Sequence, residues 1–268
     1  LAYGMSLEEF SAPSIQSMII ADYVSSIELS RTAFSEKRRE IMDISKLIFY
    51  GILYRRFAKL VTKRFIGSLF VEGWNRSNPK NILTENSIIN NSSISNFPSL
   101  NLEIINQIKL EIINAVMIIL PGTEELTGDE LSKMRQSGRK FLDNLNSFIW
   151  YILSVSQGGV DYNLLYKDII TLLKQYLEKL KIAEYLSLMI MEFTINAEIS
   201  QLKRLSKRLY KNKIDFGRII HNKTIRTELL RFLENRNEFL TLAWKIRGNT
   251  TSIGTDNKLQ ITVYNKDS

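Results

Sequence analysis

The sequence predicts a mainly α fold: an N-terminal helical region and a helical hairpin, followed by an α+β segment. Three observations carry this expectation. Apolar residues recur every three or four positions through most of the chain. Ala183 to Tyr210 contains neither Gly nor Pro, so nothing interrupts a helix there. Only from Phe239 to Tyr264 does the pattern change to alternation, the period of a strand.

In chain order, the first helical region is read over residues 1–76. Ile15, Met18 and Ile19, then Ile44, Leu47, Ile48, Leu53 and Phe57, fall at helical spacing and give two or three helices. The second of these, Lys46 to Arg64, is basic and amphipathic, and it reads as a solvated face on a core helix rather than as a membrane-surface element. Residues 77–101 shift to Asn, Ser and Pro without a sustained period, as a linker would.

The helical hairpin is read over residues 102–180. Leu102 to Leu120 is strongly apolar and is stopped by Pro121-Gly122. Thr127 with Glu130 forms a capping box that opens a helix expected to run to about Ser156, where Gly158-Gly159 stops it. Asp161 caps a second helix through Leu180, and the two make an antiparallel pair.

Residues 181–268 hold the long helix, a basic insert and two strands, Phe239 to Arg247 and Lys258 to Tyr264. Gly248 to Asn257 joins the strands as a hairpin. Between Tyr185 and Ile195 the helix is apolar almost all round, which predicts burial on most sides. Glu192 and Asn196 sit within or beside that run, four residues apart and therefore on one face. A carboxylate in such surroundings costs on the order of several kcal/mol unless it is paired, hydrogen-bonded or facing a polar cavity.

Composition narrows the chemistry. With 44% hydrophobic and 24% charged residues the chain can bury a sizeable core, and 268 residues suit two small domains. There is no Cys, which removes disulfides, thiolate nucleophiles and Cys-based zinc sites and points to a reducing, cytoplasmic setting. No signal pattern or apolar run of membrane-spanning length is seen. The chain opens on Leu1 and stops just after a strand-like segment, which suggests a fragment. A single histidine, His221, leaves no histidine metal cluster and no Ser-His-Asp triad. No Gly-rich phosphate loop occurs.

The order helix with Glu192-x-x-x-Asn196-Ala197, strand, turn, strand, polar loop resembles the superfamily of histidine kinases, gyrase-type topoisomerases and large heat-shock chaperones. More narrowly, the run through Lys203-Arg204 and the ending Ile261-Thr262-Val263-Tyr264-Asn265 is similar to a spirochaetal group of histidine-kinase-like proteins. The resemblance covers about Leu180 to Ser268. It implies that Glu192 activates a water, that Asn196 binds the magnesium bridging ATP phosphates, and that Asn265 stands where an Asp would read the adenine. The pattern departs at Asn265, at the missing glycines after it and at Ile199, where a Lys is usual, so the resemblance implies a degenerate site. The hairpin carries no histidine to phosphorylate, because His221 lies beyond it.

The formal net charge is +8. Its densest part runs from Lys203 to Arg226, where spacing places Lys203, Lys207 and Lys211 along one stripe with Arg204 and Arg208 beside them. Such a stripe suits nucleic acid or an acidic partner.

The sequence thus predicts a regulatory or signalling protein with a histidine-kinase-like ATP-binding fold, without autophosphorylation and at most an ATPase using ATP and magnesium. It would meet a protein partner and could dimerise through the helical hairpin. The alternative is a non-enzymatic helical protein that binds nucleic acid or an acidic partner through its basic helix.

Overall fold

The structure is a computed structural model and describes residues 18–20, 24–80, 82–84, 97, 101–211, 215–248 and 257–266. The chain divides into two compact units, one of residues 1–52 with 182–268, the other of residues 53–181. The boundaries fall inside two long helices, α1 (Arg38–Ile66) and α6 (Val160–Tyr210).

The 53–181 unit is all helical among its described residues. It contains the later part of α1, then α2 (Leu69–Ser77), α3 (Leu102–Ile119), α4 (Gly128–Asp143), α5 (Ser147–Val155) and the first part of α6. The capping box opens α4 as expected: the Thr127 hydroxyl accepts from the Glu130 N–H, and the Glu130 carboxylate accepts from the Thr127 N–H at 2.9 Å. The helix ends early, however. Instead of reaching Ser156 it stops at Asp143, and Asn146 starts α5 by accepting from the Phe148 N–H at 3.1 Å. The Asn-Leu-Asn step supplies a local cap that competes with helix continuation.

An aromatic group forms part of this unit's core. Phe141 of α4 lies 4.6 Å from Tyr176 of α6 and 5.5 Å from Tyr54 of α1, between ring centroids. The Tyr54 hydroxyl donates to the Asn144 carbonyl. Burial pushes the Tyr54 phenol up to about 12 and raises Tyr176 as well.

The other unit carries the sheet. Its strands are β1 (Ser26–Arg31), β2 (Phe239–Gly248) and β3 (Asn257–Lys266), in the order β1-β2-β3 with both pairings antiparallel. The two C-terminal strands lie where the alternation places them. β1 corrects the sequence reading, which has only helices over this stretch. Its six residues, Ser-Ile-Glu-Leu-Ser-Arg, alternate, and Ile27 and Leu29 find apolar partners directly opposite in Trp244 and Leu242.

One face of the sheet is apolar. Ile27, Leu29, Leu240, Leu242, Trp244 and Ile246 are buried together with Ile41, Ile44 and Ile48 of α1 and Ile190 of α6. Burying each such side chain is worth roughly 1.5–3 kcal/mol, so this layer fixes which side of α6 faces the sheet. A second, smaller core joins Leu202 and Leu205 of α6 to Leu229, Leu230 and Leu233 of α8 (Lys223–Asn235). A short helix, α7 (Phe216–His221), precedes α8. Asn222 caps α8 by accepting from the N–H groups of Thr224 and Ile225.

The stretches read as separate helices, through Leu180 and from Ala183, are one helix of 51 residues. With no Gly or Pro from Val160 to Tyr210, no residue offers the backbone a reason to stop.

Candidate functional site

The inner side of α6 runs through Ile190, Thr194, Ala197, Glu198, Gln201 and Leu205, packing on the sheet layer at Ile190 and Ala197 and on α8 at Leu205. Thr194, Glu198, Gln201 and Leu205 are buried with Ile190, and Ala197 is half-buried. Each residue advances an α-helix by about 100°. Glu192 therefore lies about 200° round from Ile190, and Asn196 follows it one turn later on the same outer side. Both side chains are exposed, and neither has a hydrogen-bond or ionic partner among the described residues. The expected burial of this stretch is corrected too: Tyr185 is 69% exposed and Phe193 61%. A helix that is apolar all round is covered only on the sides where the fold supplies neighbours.

The buried carboxylate of α6 is Glu198 instead, 1% exposed. One oxygen accepts from the backbone N–H groups of Phe34 and Ser35, each at 2.7 Å; the other accepts from the Ser35 hydroxyl at 2.8 Å and pairs with Arg226 at 3.0 Å. These bonds occupy both oxygens. Glu198 thus closes the N-terminal end of the turn that leads into α1, which makes its role structural.

Past the end of the sheet, α6 meets the ends of β3 and α8 around a cleft of about 310 Å³ lined by Gln201, Arg204, Arg208, Glu238 and Asn265, with Leu205 and Leu233 as its apolar floor. Asn265 pairs in register with Leu240, so it lies on the same face of the sheet as the apolar layer, level with that layer's end. The chain leaves α8 through Asn237 at φ 53°, and the Glu238 N–H donates to the Leu233 carbonyl at 2.9 Å, a left-handed helix stop that sets Glu238 beside the cleft. Glu238 pairs with Arg236 at 3.1 Å and only loosely with Arg208 at 3.9 Å. The rings and cations stack here: Arg208 and Arg236 both lie over Phe232, at 5.8 and 5.4 Å.

Gln201 is the unusual member. It is only 6% exposed and lines the cleft, and its Oε1 has no hydrogen-bond partner among the described residues. A buried amide oxygen left unpaired costs about 1–3 kcal/mol. Sequence reasoning passed over Gln201, Glu198 and Glu238, although Glu198 and Gln201 continue the spacing of Ile190 and Thr194.

The basic residues singled out from the sequence separate into two groups. Arg204 and Arg208 border the cleft. Lys203, Lys207 and Lys211 are exposed, Lys203 lying 5.8 Å from the Phe216 ring centroid. Lys203 and Lys207 continue the outer side of α6 that also carries Tyr185, Met189, Glu192, Phe193, Asn196 and Ser200, all exposed. From Tyr185 to Lys207 this stripe is roughly 33 Å long. At its apolar end, Met189 and Phe193 join Phe49, Leu186, Ile261 and Val263 around an apolar groove of about 380 Å³.

Among the described residues, no three His, Asp or Glu side chains converge as a metal site, and no helix is long and apolar enough to cross a membrane. Fold and site together define a mainly helical protein with a small antiparallel sheet, a basic cleft at the sheet's end and an exposed helical stripe. The profile of a family of unknown function, DUF8084, matches residues 1–268, and the chain belongs to that family. It is 35% identical over 266 residues to an uncharacterized protein of Treponema pallidum (strain Nichols), covering 99% of this chain and 68% of that protein. No solved structure matches the chain.

Proposed function

We propose that this is a non-catalytic regulatory protein that docks an acidic, amphipathic segment of another protein on the outer side of α6. The observation that supports it is the stripe itself: Tyr185, Met189 and Phe193 at one end and Lys203 and Lys207 at the other, exposed along one side of one helix. A helical partner with an apolar end and an acidic end satisfies both parts. A nucleic-acid backbone would answer only the lysines, and the exposed rings of the stripe, Tyr185 and Phe193, stand at its other end. A second copy fits poorly. Parallel self-pairing sets lysine against lysine, while antiparallel pairing about Asn196 sets Lys203 and Lys207 against Met189 and Tyr185 and offers them no counter-charge.

The test is fluorescence anisotropy with a labelled synthetic helix, leucine-rich at one end and glutamate-rich at the other, added to the full chain. Binding should weaken with salt, fall about tenfold or more in Lys203→Glu/Lys207→Glu, and fall again in Phe193→Ser. Tighter binding to a single-stranded oligonucleotide than to this peptide, or peptide binding indifferent to both sets of substitutions, would sink the reading.

A second reading keeps the histidine-kinase-like resemblance, with ATP and magnesium as ligands. Its residues are divided, Asn265 standing in the cleft beside Arg204 and Arg208 while Glu192 and Asn196 lie on the opposite, outer side of α6. In that reading Glu192 and Asn196 serve catalysis and magnesium, and their outward placement requires a nucleotide held on the far side of α6. Thermal protection by ATP that needs magnesium and is abolished by Asn196→Ala would establish it. Indifference to adenine nucleotides would remove it.

A further inference from the structure

The cleft at the end of the sheet has a chemistry of its own, independent of the stripe. Two arginines border it, and Arg204 has no acidic partner among the described residues. The only carboxylate in the lining, Glu238, is held more closely by Arg236 than by Arg208. The lining is therefore net positive. The Asn265 amide adds a donor at the rim. Gln201 brings the opposite demand, an unpaired buried oxygen that accepts a hydrogen bond and has none. A bare anion would satisfy the arginines and leave Gln201 unmet, whereas a neutral polyol would do the reverse.

We propose that this cleft binds a small phosphate monoester bearing a hydroxyl next to its phosphate, Arg204 and Arg208 holding the phosphate and the Gln201 amide accepting the hydroxyl. The guanidinium fork suits phosphate oxygens. The Arg208 guanidinium lies over the Phe232 ring, 5.8 Å from its centroid. A volume of about 310 Å³ matches a molecule of a few carbons.

Titration calorimetry on the full chain, with inorganic phosphate, glycerol 3-phosphate and glycerol as separate probes, tests the proposal. Glycerol 3-phosphate should bind more tightly than inorganic phosphate, and glycerol should give no heat. Arg204→Ala and Arg208→Ala should each weaken both phosphate probes about tenfold or more. Arg204 is exposed, so its removal leaves the fold intact and circular dichroism verifies this. Gln201→Met, close to glutamine in volume, should abolish the preference for glycerol 3-phosphate while leaving inorganic phosphate unchanged. Lys203→Glu/Lys207→Glu should keep the phosphate response, which separates this site from the partner stripe. Equal affinity for the two phosphate probes in the wild type, no binding of either, or stronger binding of a phosphoserine peptide than of glycerol 3-phosphate would overturn the assignment.

Discussion

The carboxylate of Glu198 accepts the backbone N–H of Phe34 at 2.7 Å across 164 residues of sequence. That bond, with those from Ser35 and the ion pair to Arg226, ties the entry of α1 and the N-terminal turn of α8 to the middle of α6. Both oxygens of this carboxylate are engaged, so the group is a clasp and stands apart from the open cleft one turn further along.

Glu198→Ala should therefore be severe. It leaves the Arg226 charge and two backbone N–H groups without their acceptor, a loss of about 3–5 kcal/mol. Urea denaturation followed by circular dichroism measures it, and a loss under about 1 kcal/mol would show that the clasp is not formed.

Glu192→Gln and Asn196→Ala should each change stability by less than about 0.5 kcal/mol, because both side chains project outward and make no polar contact among the described residues. The contrast with Glu198→Ala is read by the same denaturation curve. A large loss at Glu192 would place that carboxylate indoors.

Leu29→Ala tests the strand that the sequence reading missed. Leu29 is buried in the sheet layer opposite Leu242, and its truncation should cost about 2–3 kcal/mol, while Ser26→Ala on the exposed face of the same strand should cost almost nothing. Equal effects at the two positions would argue against pairing of β1 with β2.

The buried phenols predict a loss of stability in alkali. The unfolded chain releases the Tyr54 proton near pH 10 and the folded chain only near 12. The folded state binds more protons in that window, so the stabilisation is complete below pH 10 and declines as pH rises towards 12. Tyr176, raised in the same direction, adds to the decline. In Tyr54→Phe the decline should shrink, and the lost bond to the Asn144 carbonyl should cost about 1 kcal/mol at neutral pH. Thermal melts at pH 8, 10 and 11 (about one unit apart at the top of the range) read both effects; an unchanged alkaline slope in the variant would count against a buried Tyr54 hydroxyl.

What was legible in advance was local. The Thr127–Glu130 box is a contact between residues three apart, and it forms as written. The alternation from Phe239 onwards gives the two strands, since period two has no other regular home. The break at Asn144 to Asn146 was legible in principle, because it rests on the capping preference of asparagine, yet the apolar period runs across it and masks it.

The sequence by itself settled that residues 161–180 and 183–210 are helical, that strands close the described chain, and that no thiol chemistry is available. It could not settle which side of that helix is inside. Tyr185 to Ile195 is apolar in nearly every direction, so period alone cannot choose between the side bearing Glu192 and Asn196 and the side bearing Ile190 and Glu198. The choice was made by Ile27, Leu242 and Trp244, brought from both ends of the chain to one sheet face that one side of α6 had to cover. Only that packing put Glu198 indoors, left Glu192 in solvent, and gathered Gln201, Arg204, Arg208 and Asn265 around one opening.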